Sequence, residues 1–329
     1  MNSIALLDKI EAPAQRFTDE VSGITYRGYR PVKDEIRLPA KYDSVDLPVN
    51  LVANNYCPTD RDVYLLSVGR AGNSHVTWPS LCGRYYEDLL FDFHNYSKTQ
   101  MTRRGEERDN SSYDFYASLT RHYRRKIKNI ICDLQALKST HKFINDARLH
   151  EIEPLLRKLG RFETIATCYL LDLTVARAGA SVNLSRQFTY LFPLELRYEI
   201  DSIATDLGLT RAAKPDFIFD RRIIGDIKSG QYKEFWKITL AAYALAYESA
   251  TGRDMNFGLI YHVSDKRHFN VPNHNRTMIL LISNALRLAF ATQRNRKFEI
   301  FTKHSDPGLA DRRRDCTNCV YFRECEKDR

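Results

Sequence analysis

The chain has 329 residues, of which 43% are hydrophobic and 28% charged, and its formal net charge is +9. This composition excludes a chain that is disordered throughout, and the length suffices for one large domain or two modest ones. The positive charge favours a polyanionic partner, although charge of this size is common in soluble proteins.

Seven cysteines, an odd number, are not typical of a disulfide framework. No apolar run approaches the length of a membrane span, and residues 1–17 lack the apolar stretch of a signal peptide. We therefore expect a cytoplasmic protein with no membrane association, in which clustered cysteines bind metal.

The first half of the chain is predicted to be mainly helical. Residues 1–50 contain several prolines and predict turns with a strand or two, and 50–68 predict a helix that starts or is interrupted near Pro58. Further helices are expected over 81–96 and 113–180, with an exposed loop over 102–112 between them. Lys and Arg concentrate at 121–128, which indicates either a solvated helix face or a contact with the DNA backbone.

The second half alternates strands and helices. Strands are predicted within 188–200, 215–220 and 222–228, followed by a helix over 236–249 and a strand over 257–263. This order indicates an α/β core with one crossover helix. A last helix is predicted over 277–295, before the cysteine-rich tail.

Two carboxylates and a lysine stand near the predicted strands. Asp216 precedes one strand, and the alternation of the next places Asp226 and Lys228 on one face with Ile227 turned into the core. If the strands pair as a hairpin, Asp216 reaches the same face. The two carboxylates would then hold Mg²⁺ or Mn²⁺, with the backbone carbonyl of Ile227 as a further ligand. Lys228 would orient the attacking water and stabilise charge on a phosphate.

The spacing of these residues is more informative than any one of them. An isolated Asp-x-Lys at a strand end is usually a turn. Pro215-Asp216, then Asp226-x-Lys228, then an amphipathic helix that carries Tyr243, is the layout of the PD-(D/E)xK nuclease superfamily.

Cys316, Cys319 and Cys325 lie close enough in sequence to share one metal site. Their spacing is compatible with zinc or with an iron–sulfur cluster. For a fourth ligand, Cys57 and Cys82 both remain open. Cys132 and Cys168 lie in apolar helical surroundings and are predicted to be small buried hydrophobes.

Several longer stretches resemble the CRISPR-associated RecB-like exonuclease family, whose members carry an iron–sulfur cluster and act when new spacers are acquired. The likeness is greatest to its longer, largely archaeal subgroup. The stretches are YCPTDRDVYL (56–65), TWPSLCGRYYEDL (77–89), ATDLGLTRAAKPDFIF (204–219), IGDIKSG (224–230), WKITLAAYALAYES (236–249), FGLIYHV (257–263) and DPGLADRRRDCTNCVYFREC (306–325).

The resemblance implies both a cluster and a catalytic site. It implies that one [4Fe–4S] cluster is bound by four cysteines: Cys57, Cys316, Cys319 and Cys325. It makes Asp216 and Asp226 the metal carboxylates, Lys228 the catalytic lysine and Tyr243 the aromatic residue of the following helix.

The chain departs from the family pattern at two positions. The family usually has a metal-ligand histidine four residues after a glycine, and here Gly83 is followed by Glu87, a suitable ligand for a hard cation. The superfamily tends to have a glutamine four residues before the tyrosine, and here Thr239 takes that place.

The resemblance thus implies an α/β protein with a PD-(D/E)xK core, a helical domain and an iron–sulfur clamp that joins the two terminal segments. It implies a metal-dependent DNA nuclease that processes prespacer DNA ends and works with the CRISPR integrase. The alternatives are a catalytically weak DNA-binding adaptor of the acquisition complex and a RecB-like repair nuclease. The expected division is an N-terminal segment with the first cluster cysteine (1–76), a helical domain (77–184), a nuclease core (185–300) and a cysteine tail (301–329).

Overall fold

The structure is a computed structural model of the chain. It describes residues 47–70, 72, 77–107, 112–178, 194–196, 199–200, 207, 213–219, 223–230, 232–263, 277–311, 316 and 319–329. The strands predicted within 1–50 therefore lie almost wholly outside the described residues.

The helices fall into a long group and a shorter group. The long ones are α3 (Trp78–Glu107), α4 (Ser112–Leu137) and α5 (Asp146–Ala178), and they pack on one another as a bundle. The others are α1 (Val49–Ala53), α2 (Arg61–Ser67), α6 (Trp236–Thr251), α7 (Asn284–Lys303) and α8 (Phe322–Lys327). The interruption near Pro58 is confirmed, since α1 and α2 flank it.

The described strands form one five-stranded sheet in chain order. They are β1 (Leu194–Leu196), β2 (Phe217–Phe219), β3 (Ile223–Ser229), β4 (Phe257–Val263) and β5 (Thr277–Leu281). All neighbours are antiparallel except β3 and β4, which run parallel because α6 crosses over between them. The predicted α/β core with one crossover helix is confirmed.

Both faces of the sheet are buried, and successive residues alternate between them. Ile223 and Ile227 pack into the cluster formed with the α3–α5 bundle, whereas Ile224 packs into the cluster formed with α6 and α7. Asp226 and Lys228 share the alternation of Ile224, so both face the α6 side. The bundle thus covers one face of the sheet, and α6 and α7 cover the face on which Asp226 and Lys228 lie.

The prediction of one helix over 277–295 is wrong at its start. Residues 277–281 form β5, which pairs antiparallel with β4 from Tyr261↔Thr277 to Phe257↔Leu281. The helix begins only at Asn284, where the hydroxyl of Ser283 accepts the backbone N–H of Leu286 at 3.3 Å. Pairing with a free sheet edge outweighs the helix propensity of Met and Leu here.

The prediction of a loop over 102–112 is also wrong in its first half. Helix α3 continues to Glu107, and α4 begins at Ser112. Arg and Glu favour helices, and one internal Gly105 costs only about 1 kcal/mol relative to alanine.

A buried polar contact joins the bundle to the sheet. The hydroxyl of Tyr261 in β4 donates to Oε1 of Glu163 in α5, and Nε2 of His94 in α3 lies 3.6 Å from Oε2 of Glu163. All three side chains are buried. Because buried polar groups need partners, this contact restricts how the bundle can pack on the sheet.

Candidate active site and cysteine cluster

The β2–β3 hairpin brings Asp216 to Asp226. Phe217 is paired with Gly225, so the next residues outward, Asp216 and Asp226, are opposite each other. Oδ2 of Asp216 accepts the backbone N–H of Ile227 at 2.6 Å. The N–H and C=O of one strand residue point to the same side, so the Ile227 carbonyl faces the strand edge where Asp216 lies.

Gly225 allows this hairpin to close. A β-carbon there would lie 1.9 Å from Cε2 of Phe217, because the Phe217 ring covers the glycine. A side chain there would require the Phe217 ring to move. Nothing in the sequence around Gly225 identified this requirement.

Asp226 and Lys228 form an ion pair on the α6 face of β3. Oδ2 of Asp226 lies 2.5 Å from Nζ of Lys228, and the aspartate side chain is almost fully buried whereas 26% of the lysine side chain is exposed. Apart from this ion pair, Oδ2 has no hydrogen-bond partner among the described residues. A buried carboxylate oxygen therefore retains capacity for a further cation.

The electrostatics of the site reflect crowded negative charge. Burial raises the pKa of Asp216 well above its usual range, and the neighbouring Asp226 and Glu87 raise it further. Burial alone would lower the pKa of Lys228, but Asp226, Asp216 and Glu87 outweigh this and raise it. The lysine is therefore a cation, and it only partly compensates the three acids.

Glu87 and Tyr243 reach the site from two helices. Helix α3 passes close to the end of β3, where a β-carbon on Gly83 would lie 2.9 Å from Oγ of Ser229, and Glu87 follows one turn later. Burial raises the pKa of Tyr243 well above its usual value, and Asp226, Asp216 and Glu87 add to this effect. The hydroxyl of Tyr243 is therefore protonated at neutral pH.

Thr239, which stands where the superfamily tends to have a glutamine, is bonded within its own helix. It is buried on α6, and its hydroxyl donates to the backbone carbonyl of Phe235 at 3.4 Å, one turn back in the same helix. That bond directs the hydroxyl along the helix rather than toward Asp226.

The donor set fits a hard divalent cation. Carboxylates from Asp216, Asp226 and Glu87, with one backbone carbonyl, are the oxygen ligands that Mg²⁺ and Mn²⁺ prefer. Burial is the main cause of the raised pKa of Asp216, and the nearby carboxylates of Asp226 and Glu87 add to it; a cation bound among them would offset both effects. Among the described residues, no three His, Cys, Asp or Glu side chains already stand in a metal-binding arrangement.

Three of the four predicted cluster cysteines influence one another electrostatically. Burial raises the pKa of Cys319 to about 11, and Asp62, Cys57 and Cys325 raise it further. The pKa of Cys325 is also raised, first by burial and then, against the effect of Arg61, by Cys57. Cys316 precedes Cys319 by one turn, whose closing bond runs from the N–H of Cys319 to the Cys316 carbonyl at 2.9 Å. None of the four is in a disulfide, and four cysteine thiolates are the usual ligand set of an iron–sulfur cluster.

The other cysteines lie elsewhere. Cys82 packs against the bundle, where burial raises its pKa to about 12 and Arg148 and Glu151 are its charged neighbours. Cys168 also packs against the bundle core, as predicted. Cys132 is exposed on α4, so its prediction as a buried hydrophobe is wrong. Its neighbours are apolar in sequence, but it lies on the solvent side of the helix.

The loop that carries Cys57 is fastened to the tail that carries the other three. Arg61 is almost fully buried and forms two hydrogen bonds of 3.0 Å with Asp306 and one of 2.6 Å with Asp328. The hydroxyl of Thr59 donates to the Gly308 carbonyl at 3.1 Å. These contacts join residues about 250 positions apart in the chain.

Helix α7 also contacts the loop that carries Cys57. The ammonium group of Lys297, which is fully buried, donates to the carbonyls of Leu51 and Asn54 at 2.7 Å each and lies 3.4 Å from Oδ1 of Asp60. We call residues 54–61 with their partners in α7 and the tail the clamp. Sequence analysis singled out its cysteines but not Arg61 or Lys297.

The Lys and Arg residues at 121–128 lie mostly on the solvent face of α4. Arg121, Arg124, Arg125 and Lys128 are exposed, whereas Lys126 is half-buried and pairs with Asp88 at 3.5 Å. Both interpretations made from the sequence, a solvated face and a DNA contact, are compatible with this exposure.

The sequence profile of a family described as CRISPR-associated exonuclease Csa1 matches residues 12–328, nearly the whole chain. The chain belongs to this family. CRISPR-associated exonuclease Csa1 from Saccharolobus solfataricus is 28% identical over 180 residues, which cover 54% of this chain and 58% of that relative. The matched segment thus spans less than two thirds of the relative. No solved structure matches the chain. The family resemblance inferred from the sequence is confirmed.

None of the described helices is both long enough and apolar enough to cross a lipid bilayer.

Proposed function

We propose that this protein is a divalent-metal-dependent DNA nuclease that trims the ends of prespacer DNA during CRISPR adaptation. The observation that carries the proposal is the meeting of Asp216, Asp226 and Lys228 at the β2–β3 hairpin. Membership of a family named for a CRISPR-associated exonuclease supports it. The formal charge of +9 suits a nucleic-acid substrate.

The acids and the lysine have different roles in this proposal. Asp216, Asp226, Glu87 and the Ile227 carbonyl would hold Mg²⁺ or Mn²⁺, which when bound supplies an activated water and neutralises charge on the phosphate. Lys228, kept cationic by its acidic neighbours, stabilises the negative charge that develops on the phosphate. Tyr243 remains protonated and can donate a hydrogen bond to a phosphate oxygen.

The isosteric variant D216N tests the nuclease assignment. It should reduce cleavage of end-labelled single-stranded and overhang DNA at least about 100-fold with either Mg²⁺ or Mn²⁺, because one carboxylate is lost from the cation site. The control is Asp146→Asn, an exposed aspartate paired with Lys138 on the surface, which should leave the rate unchanged. Undiminished cleavage by D216N would refute the assignment. Binding without cleavage by the wild type would instead favour the adaptor function.

We propose further that Cys57, Cys316, Cys319 and Cys325 bind one [4Fe–4S] cluster. The absence of a disulfide at any of the four cysteines and the electrostatic influence of Cys57 and Cys325 on Cys319 support this set. In this position the cluster has a structural role, since it lies in the clamp rather than among the acids of the nuclease site.

Protein purified under anaerobic conditions tests the cluster. We expect a brown sample with about four iron and four sulfide per chain. Cys57→Ser should lose most of the iron, whereas Cys82→Ser, its matched control in the bundle, should retain it. Stoichiometric zinc in a colourless protein would show that the four-thiolate site is a zinc site.

The place of the enzyme in adaptation is a separate proposal. We infer that it acts together with the CRISPR integrase, and we expect integration of prespacers with long overhangs to yield trimmed spacers with the wild type. The D216N variant should yield untrimmed products or none. Equal trimming with both proteins would place the processing activity in another component.

A further inference from the structure

A series of aromatic rings extends from the cysteine-bearing loop to the sheet. It begins at Tyr56, which is 47% exposed and directly precedes Cys57. Its ring meets the half-buried Phe235 edge to face, with centroids 4.8 Å apart. The ammonium group of Lys233 lies 6.0 Å from the centroid of the Tyr56 ring, within cation–π range.

Trp236 supports the middle of the series. It is almost fully buried at the start of α6, and its indole meets Tyr232 edge to face at 5.3 Å. On another side it meets His262 of β4 at 5.4 Å. Nε2 of His262 donates to the Gly230 carbonyl at 2.7 Å, which fixes the orientation of the imidazole. We call Tyr56, Tyr232, Phe235, Trp236 and His262 the aromatic track.

The track ends beside the catalytic lysine. His262 is paired in register with Lys228 on the neighbouring parallel strand, so both side chains lie on the α6 face. Trp236 lies seven residues, about two turns, before Tyr243 and therefore on the same side of α6. From Lys228 the contacts lead to His262, then to Trp236 and Tyr232, and Phe235, the residue before Trp236, contacts the exposed Tyr56.

We propose that the aromatic track binds the bases of single-stranded DNA and directs a strand end to Asp216, Asp226 and Lys228. The inference rests on the nuclease function proposed above. Every base has a π face, so a row of partly exposed rings can bind a strand of any sequence. Buried Trp236 keeps the neighbouring rings in place before DNA binds, which reduces the ordering cost of binding.

Charge selects DNA over an apolar partner for this surface. Lys233 lies over the outer ring, and Lys228 lies at the inner end. Glu234 is the acidic residue within residues 232–237, and it is paired with Lys237 at 2.7 Å. Cations alternating with rings suit a ligand that alternates phosphates with bases.

The experiment compares two substitutions of Tyr56 in the full chain. Anisotropy would be measured with a labelled oligo-deoxythymidine and with an abasic oligomer of equal length, both in Ca²⁺ without Mg²⁺ or Mn²⁺. Tyr56→Leu should weaken binding of the thymidine oligomer roughly tenfold, whereas Tyr56→Phe, which keeps the ring, should bind like the wild type. The abasic oligomer should bind all three proteins equally. Tyr169→Leu on α5, a similarly exposed tyrosine, is the control for general surface effects.

The possible results separate this proposal from the nuclease assignment. Equal affinity of Tyr56→Leu and the wild type for both oligomers overturns the track, even if D216N abolishes cleavage. An equal loss for both oligomers also overturns it, because the effect is then not on bases. A selective loss for the thymidine oligomer supports the track, including in a wild type that binds DNA without cleaving it.

Discussion

Oδ2 of Asp226 and Nζ of Lys228 lie 2.5 Å apart on one face of β3, whereas Ile227 between them points into the opposite layer. In the proposed nuclease, the lysine would thus be held where charge develops on a phosphate. We expect Lys228→Met to lower the cleavage rate about 100-fold or more, as removal of one electrostatic stabiliser does in other enzymes. Gel assays with Mg²⁺ and Mn²⁺ would measure the effect.

Affinity for DNA in Ca²⁺ should change far less in Lys228→Met, since one phosphate contact among many is lost. Lys303→Met is the matched control, because Lys303 is exposed on α7 and pairs only with Glu299 on the surface. A Lys228→Met protein that cleaves at the wild-type rate would show that the lysine is structural.

The contact of Phe217 with Gly225 makes a separate prediction for stability. Gly225→Ala would place a methyl group where the Phe217 ring lies, and we expect it to lower the free energy of unfolding by about 1–3 kcal/mol. In a Phe217→Leu background the same alanine should cost at least about 1 kcal/mol less, because the two residues are coupled. Urea unfolding of the four proteins measures this coupling. Additive effects would mean that the alanine acts through the backbone.

Arg61 should be the main non-covalent contributor to the clamp. Its guanidinium group is almost fully buried, and Arg61→Gln would leave Asp306 and Asp328 without it. Because both aspartates are partly hydrated, we expect a loss of about 2–3 kcal/mol, below the cost of breaking a fully buried pair. Limited proteolysis should also cut the tail sooner. Arg157→Gln, which breaks an exposed pair with Glu153 on α5, should cost less than about 0.5 kcal/mol. Equal losses in the two variants would contradict the prediction.

His94 should make stability depend on pH. Burial lowers the pKa of His94 to about 4, even though Glu163 acts in the other direction, while the unfolded chain has a value near 6.5. The unfolded state therefore binds the extra proton between these values, so the contribution is complete above pH 6.5 and is lost as pH falls toward 4. The expected loss is about 3 kcal/mol. His94→Gln should flatten the stability curve in this window. An unchanged slope would show that the imidazole is already charged in the folded protein.

Much of the acid–lysine site follows from the sequence because it depends on local rules. Alternation along a strand is enough to place Asp226 and Lys228 together, and a short connection favours the hairpin that adds Asp216. Glu87 is different. Its position depends on how closely α3 approaches β3 at Gly83, which only the family pattern indicated and which the packing in the structure now accounts for.

The remaining differences arise where distant segments meet. Residues 277–281 form a strand because they pair with the edge of β4. The sequence of this segment alone does not show that such an edge is available. Arginine and lysine usually lie on the surface, but Arg61 and Lys297 are buried. Their partners lie about 250 positions away in the chain, so the local sequence does not indicate this burial. The aromatic track could not be predicted from the sequence for the same reason, since Tyr56, Trp236 and His262 belong to three separate segments.

The clamp also has a consequence for biosynthesis. Arg61 is translated 245 residues before Asp306, so the loop that carries Cys57 is made early and waits for its partners until nearly all of the described core has been translated. Contacts of such separation form late in folding, because a long loop must close first. A chain interrupted before residue 306 would lack Asp306, Gly308 and Asp328 and could not complete the clamp. Closure of the clamp would therefore distinguish a chain that includes residues 306–328 from one that stops before them.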